Sequence, residues 1–253
     1  FLFLILNFPA FIFKNIKFNV LDKTLLSLPQ FTYPDFTVKR QSGFLIPTYS
    51  FSNFYGHAIK VPYIYILDDT SDLTVSPFVT TKQGPLLDFE YRKKTENGGD
   101  IYINPNFIYQ ADPSDVAPGD EKLRASIQTH GTIPINDNFN WGWDATYATD
   151  DTYMRKYSLD SRTKYNSNIY VEGLKGQNYL NIAAINYKNL LNETETPPAI
   201  LLPRIDHQYK FNLPNLKNLS FENNIVNVQR ASGDEQMRLT TELKWDERYI
   251  SNN

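Results

Sequence analysis

Phe139-Asn140-Trp141-Gly142-Trp143-Asp144-Ala145-Thr146-Tyr147 alternates between apolar, mostly aromatic residues and polar or small ones. Successive side chains of a β-strand point to opposite faces, so this stretch builds one greasy face and one wet face. The same period recurs on both sides of it. Leu87, Phe89 and Tyr91 alternate with Asp88, Glu90 and Arg92, and Leu239, Thr241, Leu243 and Trp245 alternate with Thr240, Glu242, Lys244 and Asp246. Such runs reach about ten residues, the length a tilted strand needs to cross a bilayer, against about five or six for a typical soluble strand. The charges and amides of the wet face suit a water-filled lumen, and lipid takes the other face.

The chain of 253 residues contains 17 Tyr and 17 Phe. Membrane barrels gather Tyr and Trp in two interfacial girdles and cover the lipid face with Phe. An aromatic-rich soluble β-sandwich has a similar composition, so composition alone leaves both readings open. A formal charge of -3 argues against a nucleic-acid partner held through phosphate contacts. The absence of cysteine removes disulfides and thiolate metal sites. The apolar opening run from Phe1 to Phe13 is too short for a membrane helix, lacks the charged start of a signal peptide and carries Pro9. The chain therefore reads as truncated at both ends.

Turn signals at Asn53 to Gly56, Asp68 to Asp72, Gln83-Gly84, Asn97 to Gly99, Asn136-Asp137 and Gly176-Gln177 divide the sequence after Ser42 into about twelve strands. Longer polar loops are expected at Ala111 to Glu121, Thr149 to Asn166 and Asn189 to Pro198. Residues 1–38 read differently. Ile16, Phe18 and Val20 mark a strand of ordinary globular type, and Pro29 and Pro34 mark an extended connector. The expected architecture is all-β, with 1–38 ending one β-domain and 39–253 forming part of a transmembrane antiparallel β-barrel.

The most specific segment is Val38-Lys39-Arg40-Gln41-Ser42-Gly43-Phe44-Leu45-Ile46-Pro47-Thr48. It resembles the signature of the LptD family, in which a basic pair and Ser-Gly-Phe-Leu-Ile-Pro open the barrel. Val61-Pro62-Tyr63, Asp72 to Pro77, Phe89-Glu90-Tyr91-Arg92, Asp150 to Tyr153 and Leu202 to Ile205 follow in the family's order, and Tyr33-Pro34-Asp35 is similar to the end of its preceding domain. The resemblance spans about residues 15 to 250. It implies that 1–38 end a periplasmic, jellyroll-like β-domain. It also implies an outer-membrane location and lipopolysaccharide as cargo. Implied partners are an LptE-like lipoprotein plug inside the barrel, an LptA-like periplasmic bridge and outer-membrane lipid.

Pro47 and Pro62 are the sharpest functional candidates. Each lies inside a membrane strand and lacks the N–H that a ladder bond needs. In lipid no water replaces the missing partner. The resemblance implies that they flank a lateral gate where first and last barrel strands meet. The alternative is that they only end strands or shape a bulge. Lys39 and Arg40 are placed to contact phosphates by charge-assisted bonds, or else form a solvated pair at the domain junction. Ser42, Gly43, Phe44, Leu45 and Ile46 complete the signature.

No catalytic site is nominated. His57, His130 and His207 lack metal-ligand spacing, and Gly-x-Ser-x-Gly is absent. No cofactor or metal is expected. Asp68-Asp69 and Asp150-Asp151 read as turn formers. No nucleotide-binding loop occurs, so any driving force would come from elsewhere. Two other functions fit the alternation: a passive porin or receptor barrel, and a soluble carbohydrate-binding sandwich with Trp141, Trp143 and Trp245 as stacking platforms.

Overall fold

A computed structural model describes residues 10–20, 23–34, 40–111, 122–191, 199–211, 219–230 and 234–245. The apolar opening to Pro9, Lys39, and most of the expected loops at 111–121 and 189–198 lie outside the described residues.

The chain is all-β and antiparallel. β1 (Ala10–Val20) and β2 (Lys23–Pro34) form a separate two-stranded sheet. The proline-bearing stretch is therefore extended, as expected, but Leu28 to Pro34 are paired with β1 rather than free as a connector. Among the described residues fourteen strand segments follow Ser42: β3 (Gly43–Phe44), β4 (Thr48–Ser52), β5 (Gly56–Lys60), β6 (Tyr63–Ile66), β7 (Ser71–Thr80), β8 (Gly84–Lys94), β9 (Asp100–Tyr109), β10 (Leu123–Asn136), β11 (Phe139–Ala148), β12 (Lys164–Lys175), β13 (Asn178–Asn189), β14 (Ala199–Lys210), β15 (Leu219–Arg230) and β16 (Gln236–Trp245). β3 with β4 and β5 with β6 are the halves of two interrupted strands, so the traverses number twelve. All six expected turns fall at strand connections.

Two compact units result, one holding residues up to Lys93 with Asn104–Ala125, the other Lys94–Ile103 with the residues from Ser126 onward. β9 and β10 each run through both.

In the first unit one face of the sheet exposes Phe51, Tyr65, Val79, Phe107 and Tyr109, while Asp72, Thr74, Ser76, Thr80, Asp88, Asn106, Gln110 and Arg124 are buried on the other. That distribution inverts the rule for a water-soluble sheet, whose apolar face is the hidden one. The inner face is not wholly polar: Phe78, Leu86 and Ile108 fill it beside Tyr55, whose ring meets Phe78 edge-on at 5.4 Å.

The second unit repeats the pattern in register. Ile127 faces Tyr147, Val171 faces Ile182, Phe221 faces Leu243 and Leu219 faces Trp245, all on the apolar face. Three glycines each lie opposite an aromatic residue: Gly131 with Trp143, Gly142 with Tyr170 and Gly173 with Phe139. The ring covers the space a side chain would take, which pins the register while closing the gap.

At one end of these strands the turns 137–138 and 176–177 are short, and at the other the connection 149–163 is long. That connection contains α1 (Tyr153–Lys156), with Tyr153, Met154 and Tyr157 buried, and β12 begins at Lys164, earlier than the loop expected to Asn166. The Asp150 carboxylate accepts bonds from the Thr152 and Tyr153 N–H groups and the Thr152 hydroxyl, the turn-forming role expected of it. Asp160 in the same connection is buried enough to raise its pKa, but bonds from Arg162 and Gln128 outweigh burial and hold it below the ordinary value.

Candidate functional site

The first two traverses, Gly43–Ser52 and Gly56–Ile66, form a hairpin that is broken near its middle. Above the break Thr48 faces Lys60, and below it Phe44 faces Tyr63. Three residues, Leu45, Ile46 and Pro47, therefore stand against two, Val61 and Pro62. One extra residue in one strand is a β-bulge. It also changes which side chains share a face, because shifting the pairing by one residue turns every side chain over. Phe44 is even-numbered while Tyr49 and Phe51 are odd, and only the bulge lets all three face the same apolar side.

Pro62 makes a second defect. The Leu45 N–H donates to the Pro62 carbonyl at 2.9 Å. In an antiparallel ladder such a facing pair exchanges two bonds. The return bond would need a Pro62 N–H, which does not exist. The second traverse keeps its register with β7 across the same point: Lys60 faces Phe78 and Tyr63 faces Val75, three residues along on each strand. The bulge therefore belongs to the first hairpin alone.

The remaining signature residues hold the strand below the break. The Ile66 N–H donates to the Ser42 hydroxyl at 2.8 Å, and Gly43 faces Ile64. The Phe44 ring meets Tyr63 edge-on at 4.9 Å. Leu45 and Ile46 are exposed, Ile46 at 74%. Arg40 is engaged within the chain: its guanidinium donates to the Asp69 carbonyl at 2.7 Å and the Asp68 carbonyl at 3.3 Å, and pairs with the Asp72 carboxylate. Arg92 Nε grips the other Asp72 oxygen at 2.8 Å. Asp72 is thus a buried carboxylate clamped by two guanidiniums. In the sequence Asp72 stands only as a turn residue at the start of a motif; the register of β7 and β8 sets it opposite Arg92, which no local pattern shows. A second ion pair, Lys60 with Asp88 at 2.7 Å, lies just above the break on the same polar face, and the Asn104 amide donates to Asp88 at 2.6 Å.

The turn that Arg40 grips is itself held by Asp68. Its carboxylate accepts the Ser71 and Thr70 hydroxyls and both of their N–H groups. Those bonds, the Ser71 hydroxyl first, hold the Asp68 pKa well below the usual carboxylate range. A carboxylate depressed in the folded state stabilises above its unfolded pKa and loses that contribution as pH falls through the depressed value. Protection of the Thr70 and Ser71 amides, measured as exchange relative to the intrinsic rate at each pH, is therefore expected to stay unchanged from neutrality to about pH 4, near the ordinary Asp value, and to fall only in stronger acid. Loss of protection by about pH 5 would contradict this.

The tryptophans do not converge. Trp141 and Trp143 are neighbours at 5.2 Å on β11, Trp143 donating to the Thr129 hydroxyl at 2.9 Å, whereas Trp245 lies on β16. Among the described residues no group of three or more His, Asp or Glu is placed to hold a metal ion.

Comparison with known proteins adds an independent finding. The family model described as LptD, LPS transport system D, matches residues 122–252, just over half of the chain. The chain is 30% identical over 209 residues to the LPS-assembly protein LptD of Psychrobacter cryohalolentis, covering 78% of this chain and 20% of that protein. It is 30% identical over 217 residues to the protein of that name in Psychrobacter arcticus, covering 81% and 23%, and 31% identical over 137 residues to that of Bordetella pertussis, covering 54% and 16%. The chain thus spans about a fifth of the length of the Psychrobacter relatives.

Proposed function

The chain belongs to the LptD family, and from that premise we propose that it is the opening part of an outer-membrane barrel that delivers lipopolysaccharide to the outer leaflet through a seam beside its first strand. The observation that carries the seam is the defective first hairpin, with a bulge at Pro47 and a ladder bond that Pro62 cannot return. A strand held by fewer bonds is the one a barrel can part with least cost, because in lipid every intact ladder bond resists opening. Acyl chains would leave sideways into the membrane while sugars cross the polar lumen.

In this reading residues 1–38 end a periplasmic β-domain and 39–253 begin the barrel. An LptE-like plug would occupy the lumen and an LptA-like bridge would feed the periplasmic end. Arg40 serves the junction by its own bonds to the Asp68–Asp72 turn, and Lys39, next to it in the sequence, is the side chain we propose for phosphate contact.

Replacing Pro47 or Pro62 by alanine in the full-length protein tests the proposal. Each change is expected to lower surface lipopolysaccharide and to raise sensitivity to large hydrophobic antibiotics severalfold. Normal delivery and a normal barrier in both variants would remove the seam. A passive porin would show neither effect and would instead change solute permeation.

A further inference from the structure

The defect in the first hairpin has a counterpart one strand further on. The Val61 N–H donates to the Pro77 carbonyl at 3.1 Å. Val61 and Pro77 are facing partners in the register that joins β5 and β6 to β7. The return bond would need a Pro77 N–H and is missing for the same reason as at Pro62. Consecutive residues, Val61 and Pro62, thus face opposite neighbours, and each loses one of its two bonds. Pro47, Pro62 and Pro77 stand in three adjoining strands at one level.

Contacts on either side of this level are intact. Below it lie the Arg40–Asp72–Arg92 clamp, the Ser42–Ile66 bond and the Phe44–Tyr63 contact. Above it the β4–β5 hairpin is paired from Thr48 to Ser52, and the Thr81 N–H donates to the His57 carbonyl at 3.0 Å.

We infer that Pro47, Pro62 and Pro77 form a crease across the first three traverses, and that Pro77 is a third positioning residue for opening of the seam. The inference rests on the seam proposed above. The upper hairpin, Thr48–Lys60, bends along the crease as a unit, while the connector end stays fixed by the clamp. Opening is therefore one-sided, widest at the hairpin turn and least at Arg40.

Pro77→Ala in the full-length protein supplies the missing donor to the Val61 carbonyl, and Pro77→Val is a second variant that supplies it with a stronger strand former. Amide exchange in the assembled protein reads the crease, with the β12–β13 hairpin as internal reference. In the unaltered protein, exchange is expected to be faster at 56–60 than at 43–45. Both variants are expected to slow the 56–61 amides about tenfold, the effect of one added hydrogen bond, with β12–β13 unchanged. Unchanged exchange at 56–61 in both variants, or a uniform change throughout, overturns the crease. Slowed exchange with reduced lipopolysaccharide delivery supports crease and seam together. Slowed exchange with normal delivery supports the crease and counts against the seam as the exit.

Discussion

Gly142→Val is expected to prevent assembly or to lower the unfolding midpoint of the full-length protein more than any other single change in β11. A side chain at Gly142 would begin 2.6 Å from the Tyr170 ring and 2.7 Å from the Gly131 carbonyl oxygen. The ring can rotate away, but the carbonyl belongs to the neighbouring strand and cannot move without breaking the ladder. Overpacking of this kind costs about 1–3 kcal/mol, and a clash with backbone lies at the upper end. Gly173 supplies the contrast, since its three nearest atoms all belong to the Phe139 ring. Gly173→Ala should therefore be rescued in part by Phe139→Leu, whereas Gly142→Ala should not be rescued by Tyr170→Leu. The heat-induced shift in gel migration measures both, and a double-mutant cycle separates ring from backbone. Equal rescue at the two positions would refute the backbone clash.

Asp72→Leu is expected to free Arg40 from the turn that opens β7. The Asp72 side chain is 8% exposed, and its removal takes the shared carboxylate away from Arg40 and Arg92, leaving Arg92 its second ion pair with Glu90 at 3.2 Å. Losing one partner of a fully buried ion pair costs about 3–5 kcal/mol. Arg40 and Arg92 are 34% and 47% exposed, so water recovers part of that, and about 2 kcal/mol remains. Asp72→Asn keeps one acceptor and should lose less. Trypsin cleavage after Arg40 is a direct measure: the carboxylate shields that bond, and the leucine variant should be cut at least tenfold faster while the strands beyond β8 stay resistant. Unchanged cleavage would mean that Arg40 is held without Asp72.

The placement of the strands was readable because alternation is local. The residues Leu87 to Arg92, Phe139 to Tyr147 and Arg238 to Trp245 carry their own period, and the turn residues between such runs mark the connections without reference to the rest of the chain. The expected twelve strands return as twelve traverses, two of them interrupted where Pro47 and Pro62 fall. The jump in parity between Phe44 and Tyr49 was an unread sign of the bulge. Leu202 and Tyr209 repeat it in β14, where the register with β13 slips beside Pro203.

The prolines themselves were legible as missing donors, because the ring removes the N–H wherever it sits. Which neighbour each one deprives was not. Pro62 faces the first traverse and Pro77 the second because of how the strands pair, and pairing joins residues far apart in the chain. The Arg40–Asp72–Arg92 clamp has the same origin, since charges 20 and 32 residues apart meet only once β7 and β8 are in register. Sequence alone determined the two faces, the number of traverses and the residues unable to donate. Tertiary structure alone decided the direction of each missing bond and the partner of each charge, because a side chain's face follows from its own backbone while a ladder bond needs a second strand.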